Sequence, residues 1–194
     1  MLSASSSNSL SLSVSSKIAD RSNSKQIRKF LQFQLGSKEK NYQSAAQGDI
    51  ALLDTEVVTE VITIASESIL PVPQMFYCVL GIYSWRSEML WIVDLENLLG
   101  YPPPLSQEGE NRELLVMVVQ FQGQSIGLVV SRIDNLIERD LQQLKPSSPE
   151  IFSEDVLPFL HGYFTSQNND IVMLLDAEEI FHFFSIKTEF NYSQ

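Results

Sequence analysis

Apolar and polar positions alternate with period two along much of this chain. From Phe30 to Leu35, Leu31, Phe33 and Leu35 share one face and Gln32 and Gln34 the other, the pattern of a half-buried strand. Leu114 to Val119 is apolar throughout, as expected of a strand covered on both sides. Gln122-Gly123-Gln124 then turns the chain into a further strand, Ser125 to Val130. Between Gly81 and Leu95, two apolar stretches are joined by a tight polar turn that holds Arg86. Asp54 or Thr55 is placed to cap a short helix carrying Val57, Val58, Val61 and Ile62, and Asp176 to cap another holding Ile180 and Phe181. The periodicity predicts a mostly β protein with two or three short helices. A charged loop from Gln107 to Arg112 divides two sets of strands without a flexible linker, which suggests two small barrels packed together.

Residues 1–27 are serine-dominated and lack aromatics, too poor in apolar surface to offset the entropy of ordering, so a disordered tail is expected there. This stretch lacks the charged start and apolar core of a secretory signal. The polar stretch 36–48 between two strand candidates is longer than an ordinary hairpin loop and is expected to project as an insert. No apolar run reaches the roughly 18 residues of a membrane span, so no membrane insertion is expected. The lone Cys78 sits in an apolar stretch and reads as a small buried hydrophobe in a reducing compartment.

Charge narrows the function classes. The formal net charge is −11, yet Lys17, Arg21, Lys25, Arg28, Lys29, Lys38 and Lys40 crowd the first forty residues. The remaining body is acidic and a poor candidate for nucleic acid, which demands clustered Lys and Arg. The two histidines, His161 and His182, have no carboxylate or cysteine partner at metal-ligand spacing. No nucleophile elbow, phosphate loop or dinucleotide fingerprint occurs, so no catalytic residue, metal or cofactor is expected. Asp94 and Asp176 each follow an aliphatic strand and most simply start the next helix or turn. Leu52, Val61 and Ile62 read as core. An alternative function, a small β-barrel enzyme or ligand binder using Asp94, Asp176 and His161, requires a concave pocket where those groups converge.

Arg86 has a simple reading as a surface arginine in an ion pair of little energetic worth. Its surroundings carry a second one. The run Gly81-Ile82-Tyr83-Ser84-Trp85-Arg86-Ser87, closing on Val93-Asp94-Leu95, resembles the signature hairpin of the CheW family of chemotaxis coupling proteins. Gly81, Arg86 and Val93-Asp94-Leu95 match that pattern. Ser84 stands where Asn is usual, Trp85 where Leu is, Ser87 where Gly is and Trp91 where Pro is common. Further stretches fall in the family's order: Phe30 to Gly36, Ile50 to Ile64 with Val58 and Glu60, Ile69-Leu70-Pro71-Val72-Pro73, Ile126 to Val130, Phe159 to Tyr163 and Ile171 to Asp176. The resemblance covers residues 29–183, giving a domain at 28–183 followed by a tail at 184–194.

The resemblance implies two SH3-like five-stranded β-barrel subdomains with a shared core. It implies a non-catalytic adaptor that couples a methyl-accepting chemoreceptor's cytoplasmic tip to a CheA-type histidine kinase, in the cytoplasm at receptor arrays. By matching position, Val58, Glu60, Gly81 and Arg86 line or shape the receptor-facing surface, with Arg86 as a fork for carboxylates or helix-end carbonyls. Tyr83 and Trp85 flank the turn. Strand alternation favours Trp85 packing inward or on a neighbouring strand, while aromatics also dominate interface energetics, so both stay interface candidates. The altered turn, the tail and the insert suggest a pilus-based twitching or phototaxis system, of the kind found in cyanobacteria.

Overall fold

Ten strands and two helices follow from these runs in a computed structural model, which describes residues 25–36, 49–101 and 112–191, with side chains as far as residue 184. Most of the serine-rich tail, nearly all of the polar insert and most of the charged loop at 107–112 lie outside the described residues. The strands are β1 (Ile27–Leu35), β2 (Asp49–Asp54), β3 (Val58–Ala65), β4 (Val79–Trp85), β5 (Glu88–Asp94), β6 (Glu113–Phe121), β7 (Gln124–Val130), β8 (Arg132–Asp140), β9 (Leu160–Thr165) and β10 (Ile171–Leu175). Helix α1 (Leu95–Leu98) follows β5, and α2 (Ala177–Asn191) follows β10 and runs on beyond residue 183.

The strands form two five-stranded sheets, in the orders β8-β1-β2-β10-β9 and β3-β6-β7-β5-β4. These orders superimpose element for element: β5 pairs in parallel with β7 as β10 does with β2. Each of those parallel strands ends in an aspartate that caps a helix: Asp94 Oδ1 accepts from the Asn97 N–H at 3.0 Å, and Asp176 Oδ1 from the Glu178 N–H at 3.0 Å. The fold is therefore one barrel-like unit used twice, with the first unit assembled from both ends of the chain.

Neither sheet closes into a barrel by a continuous ladder. In each, one isolated antiparallel bridge joins an edge strand to the segment that follows the other edge strand: Ile82 on β4 to Leu70 beyond β3, and Tyr163 on β9 to Lys145 beyond β8. Both bridges lie over a buried glycine. A Cβ on Gly81 would stand 2.2 Å from the Leu70 carbonyl oxygen, and one on Gly162 would stand 2.5 Å from that of Lys145. Only a residue without a side chain lets the backbones meet there.

Alternation sorts the core into layers. Phe30, Leu52, Phe164, Val172 and Leu174 fill the first unit, and Ile64, Leu90, Ile92, Val116 and Val118 are central to the second. The opposite faces of the same strands, with Leu31, Phe33 and Leu35 on β1 and Met117 and Val119 on β6, join Ile126 and Leu128 in a larger cluster. Leu95 and Leu98 of α1 and Ile180 and Phe181 of α2 close that cluster, which lies between the units. Strands covered on both faces this way read as unbroken apolar runs, as β6 does. Cys78 is buried in this shared core.

Two sequence expectations are corrected. Residues 57–62 form no helix: after a turn, Val58 begins β3 and pairs with β6. Asp54 caps that turn instead, accepting from the Glu56 N–H at 2.9 Å. The β-branched run Val57-Val58-Thr59 with Val61 and Ile62 suits a pleated strand better than a helix. Val61, expected in the core, is exposed, because β3 is an edge strand whose alternate residues face outward.

Replacing Gly81 by alanine is expected to lower unfolding free energy by about 3 kcal/mol, since backbone rather than a flexible side chain must move. Gly123→Ala, at φ +81 with nothing within 4 Å of the added Cβ, is expected to lose only about 1 kcal/mol. Urea titrations of the two variants check the contrast.

Candidate functional site

The β4–β5 hairpin is paired from Val79 with Val93 to Trp85 with Glu88, leaving Arg86 and Ser87 as the two central residues of the turn. Both have left-handed backbones, with φ of 49° and 67°. Two positive φ values in a two-residue hairpin turn are the mark of type I′, which normally selects Asn-Gly. An arginine and a serine there carry a steric penalty of about 1–2 kcal/mol each. Contacts of the neighbouring side chains hold the turn against it.

Strand alternation turns Gly81, Tyr83 and Trp85 toward the interior of the second unit, where Tyr83 and Trp85 pack against its core. The indole Nε1 of Trp85 donates to Oε1 of Glu60 on β3. The guanidinium of Arg86 lies over the Trp85 ring, 4.9 Å from its centroid, and donates through Nη2 to Oε2 of the same carboxylate at 2.7 Å. Glu60 thus uses both oxygens to fasten the tip of β4 to β3, the opposite edge strand of its sheet. A register shift between Val58 and Glu60 accompanies this placement.

Magnitudes rank the two contacts. A hydrogen bond to a charged, partly buried acceptor contributes about 1.5–3 kcal/mol. An ion pair made by an arginine side chain that is 63% exposed contributes about 0–1 kcal/mol. Trp85 therefore anchors the turn, and Arg86 is held in place with donors to spare at the surface. Arg86 is the ion-paired arginine of its simple reading, oriented by that pair.

The other candidate residues lie apart from this tip. Val58 packs against the shared core at the start of β3. Gly81 is buried beneath the Leu70 backbone. Beside the turn, a feature the sequence reading passed over is an apolar strip on the outer face of the hairpin. Leu70 faces Ile82 across the bridge, Ile82 faces Trp91 across the ladder, and Met89 lies two pairs nearer the tip on the same face. Leu70, Met89 and Trp91 are 62%, 66% and 38% exposed. The signal was present in Met89-Leu90-Trp91-Ile92, where both partners of the alternation are apolar.

The three groups of the alternative reading do not share one site: His161 and Asp176 meet, and Asp94 stands apart in the other sheet. Asp94 and Asp176 occupy equivalent corners of different sheets, each engaged in capping its own helix. His161, read from spacing as having no carboxylate partner, has one in space: Nδ1 lies 3.1 Å from Asp176 Oδ2, with the imidazole 58% exposed. His182 is exposed on α2, 3.9 Å from Glu178 one turn earlier. A cavity of about 270 Å³ is lined by Asp49, Leu99, Tyr101, Phe152 and Met173 among others, and by none of the three. There the Tyr101 hydroxyl donates to Asp49 at 2.6 Å, and burial together with that carboxylate pushes its pKa up. Asp94 lines a separate cavity of about 250 Å³ with Glu96, Arg112 and Ser131.

A family model described as the CheW-like domain matches residues 30–184. Among solved structures, the chain is similar to the scaffolding protein TtCheW from Thermoanaerobacter tengcongensis, with a TM-score of 0.60 and 21% sequence identity. The likeness covers 77% of this chain and 88% of that one. No curated protein sequence matches.

Glu60→Ala is expected to destabilise the fold by about 1–3 kcal/mol, because the Trp85 N–H loses its acceptor. Arg86→Ala is expected to remove less than about 1 kcal/mol. Chemical denaturation gives both values, and the indole N–H resonance of Trp85 should move strongly in the first variant and weakly in the second.

Proposed function

The chain belongs to the CheW-like domain family, and from that premise we propose that it is a non-catalytic signalling adaptor. It couples the cytoplasmic tip of a methyl-accepting chemoreceptor to a CheA-type histidine kinase. The observation that carries this reading is the hairpin tip: an arginine oriented by Glu60 and Trp85 beside an exposed apolar strip. A rigid, preoriented fork loses little freedom on binding, and an apolar centre with a charged rim suits a protein contact. Arg86 presents its remaining donors to carboxylates or helix-end carbonyls of the receptor, and Glu60 sets its direction.

Val58, Gly81, Tyr83 and Trp85 serve that surface from beneath, by packing and by fixing the turn. Ser84, Ser87 and Glu88 replace the residues usual in the family, and Glu88 adds a negative charge beside Arg86 that biases the choice of partner. That divergence favours a twitching or phototaxis system over a flagellar one. The working location is the cytoplasmic face of a receptor array; among the described residues no helix is long and apolar enough to cross a membrane.

The test is binding of the full chain to the regulatory domain of its organism's CheA-type kinase and to the matching receptor tip. Both should bind, and Arg86→Ala should weaken the receptor contact about tenfold, one charge-assisted contact, while leaving the kinase contact unchanged. Binding to neither partner would overturn the reading.

A further inference from the structure

Where the second sheet seals its seam with Glu60, the first sheet leaves a cavity. It measures about 370 Å³ and is lined by Arg139, Gln143, Lys145, Thr165, Ser166 and Gln167 over the buried Phe164. The equivalence of the sheets matches β8 with β3 and β9 with β4, so this is the corresponding seam of the other unit. No carboxylate lines it, although the chain as a whole carries a formal net charge of −11.

Among the described residues, its two cations have no counter-charge. The guanidinium of Arg139, on a half-buried residue, touches only the carbonyl oxygen of its neighbour Glu138, at 3.4 Å. The Lys145 ammonium donates to the Thr165 hydroxyl at 2.8 Å and stands 5.7 Å from the Tyr163 ring centroid. Among the described residues neither forms an ion pair, whereas Arg28, Arg86 and Arg132 each have a carboxylate oxygen between 2.6 and 2.9 Å away. The carboxylates nearby in sequence are engaged elsewhere. Asp140 accepts from the N–H groups of Gln26 and Gln142, Asp170 accepts from Ser166, and Glu138 faces Lys29.

Lys145 is exposed and Arg139 half-buried; a partly buried guanidinium without a counter-ion is costly, and a guanidinium fork beside an ammonium and side-chain amides matches carboxylate oxygens. We propose that this cavity docks an acidic segment of a protein partner, one carboxylate taking Arg139 and a second Lys145. The cations stand on two separate segments of a cavity within the roughly 300–1,000 Å³ range of ligand sites, which suits two linked carboxylates better than one inorganic ion. That the segment belongs to a protein rests on the adaptor reading; the preference for carboxylates rests on the cavity alone.

The test is titration of the full chain with N-acetylated, C-amidated hexaglutamate, followed by backbone amide shifts, with hexaglutamine as the neutral control. Saturable shifts at Thr165, Ser166 and Gln167 are expected with hexaglutamate only. Arg139→Gln and Lys145→Gln should each weaken binding about tenfold, the loss of one charge-assisted contact, while Arg132→Gln should leave it unchanged. No saturable shift, equal weakening by Arg132→Gln, or displacement by inorganic phosphate at matching concentration would overturn the proposal. Receptor and kinase binding are read in a separate experiment, so failure here leaves the adaptor reading standing.

Discussion

Everything at the hairpin depends on how a five-stranded sheet brings its two edge strands together without a ladder between them. At one end of the seam the chain solves this with backbone alone, placing the Leu70 carbonyl over Gly81 so closely that no side chain fits. At the other end it uses chemistry, with one carboxylate, Glu60, reached from the opposite edge by Trp85 and Arg86. The glycine fixes the approach of β4 and the carboxylate fixes its tip. Between them they set where the turn points and hold two non-glycine residues in a backbone conformation they rarely adopt.

The same seam in the other unit shows what changes when one element is altered. Gly162 repeats the close approach beneath Lys145, and Asp176 repeats the helix cap of Asp94. The acidic fastening is not repeated, and the cations Arg139 and Lys145 line the gap instead. One architecture thus yields a sealed seam with an oriented arginine and an open seam whose cations form no ion pair among the described residues. The shared core between the units, filled by the outward faces of β1, β6 and β7, keeps the two in fixed relation.

Much of the framework was readable from the chain. Strands β1, β6 and β7 announced themselves through alternation or unbroken apolar runs, and the caps at Asp94 and Asp176 through their place after aliphatic strands. The segment after Asp54 misled, because a capping residue and an apolar spacing compatible with a helix outweighed its β-branched composition. Arg86 and Glu60 could be singled out by resemblance, but their pairing joins residues on opposite edges of a sheet, and no local pattern encodes that distance. The pairing of His161 with Asp176 and the repeat of the two units were hidden for the same reason. The units share little sequence beyond a glycine and an aspartate, and one is split between the ends of the chain.

The central claim is that the surface around Arg86 and the apolar strip beside it forms the receptor contact. Amide and indole shifts of the labelled chain on adding the receptor's cytoplasmic tip test this most directly. The account predicts that the largest shifts fall on Trp85, Arg86, Met89 and Trp91, with Leu70 among them and the first sheet little changed. Shifts confined to the first sheet, with the Trp85 indole unmoved, would contradict it.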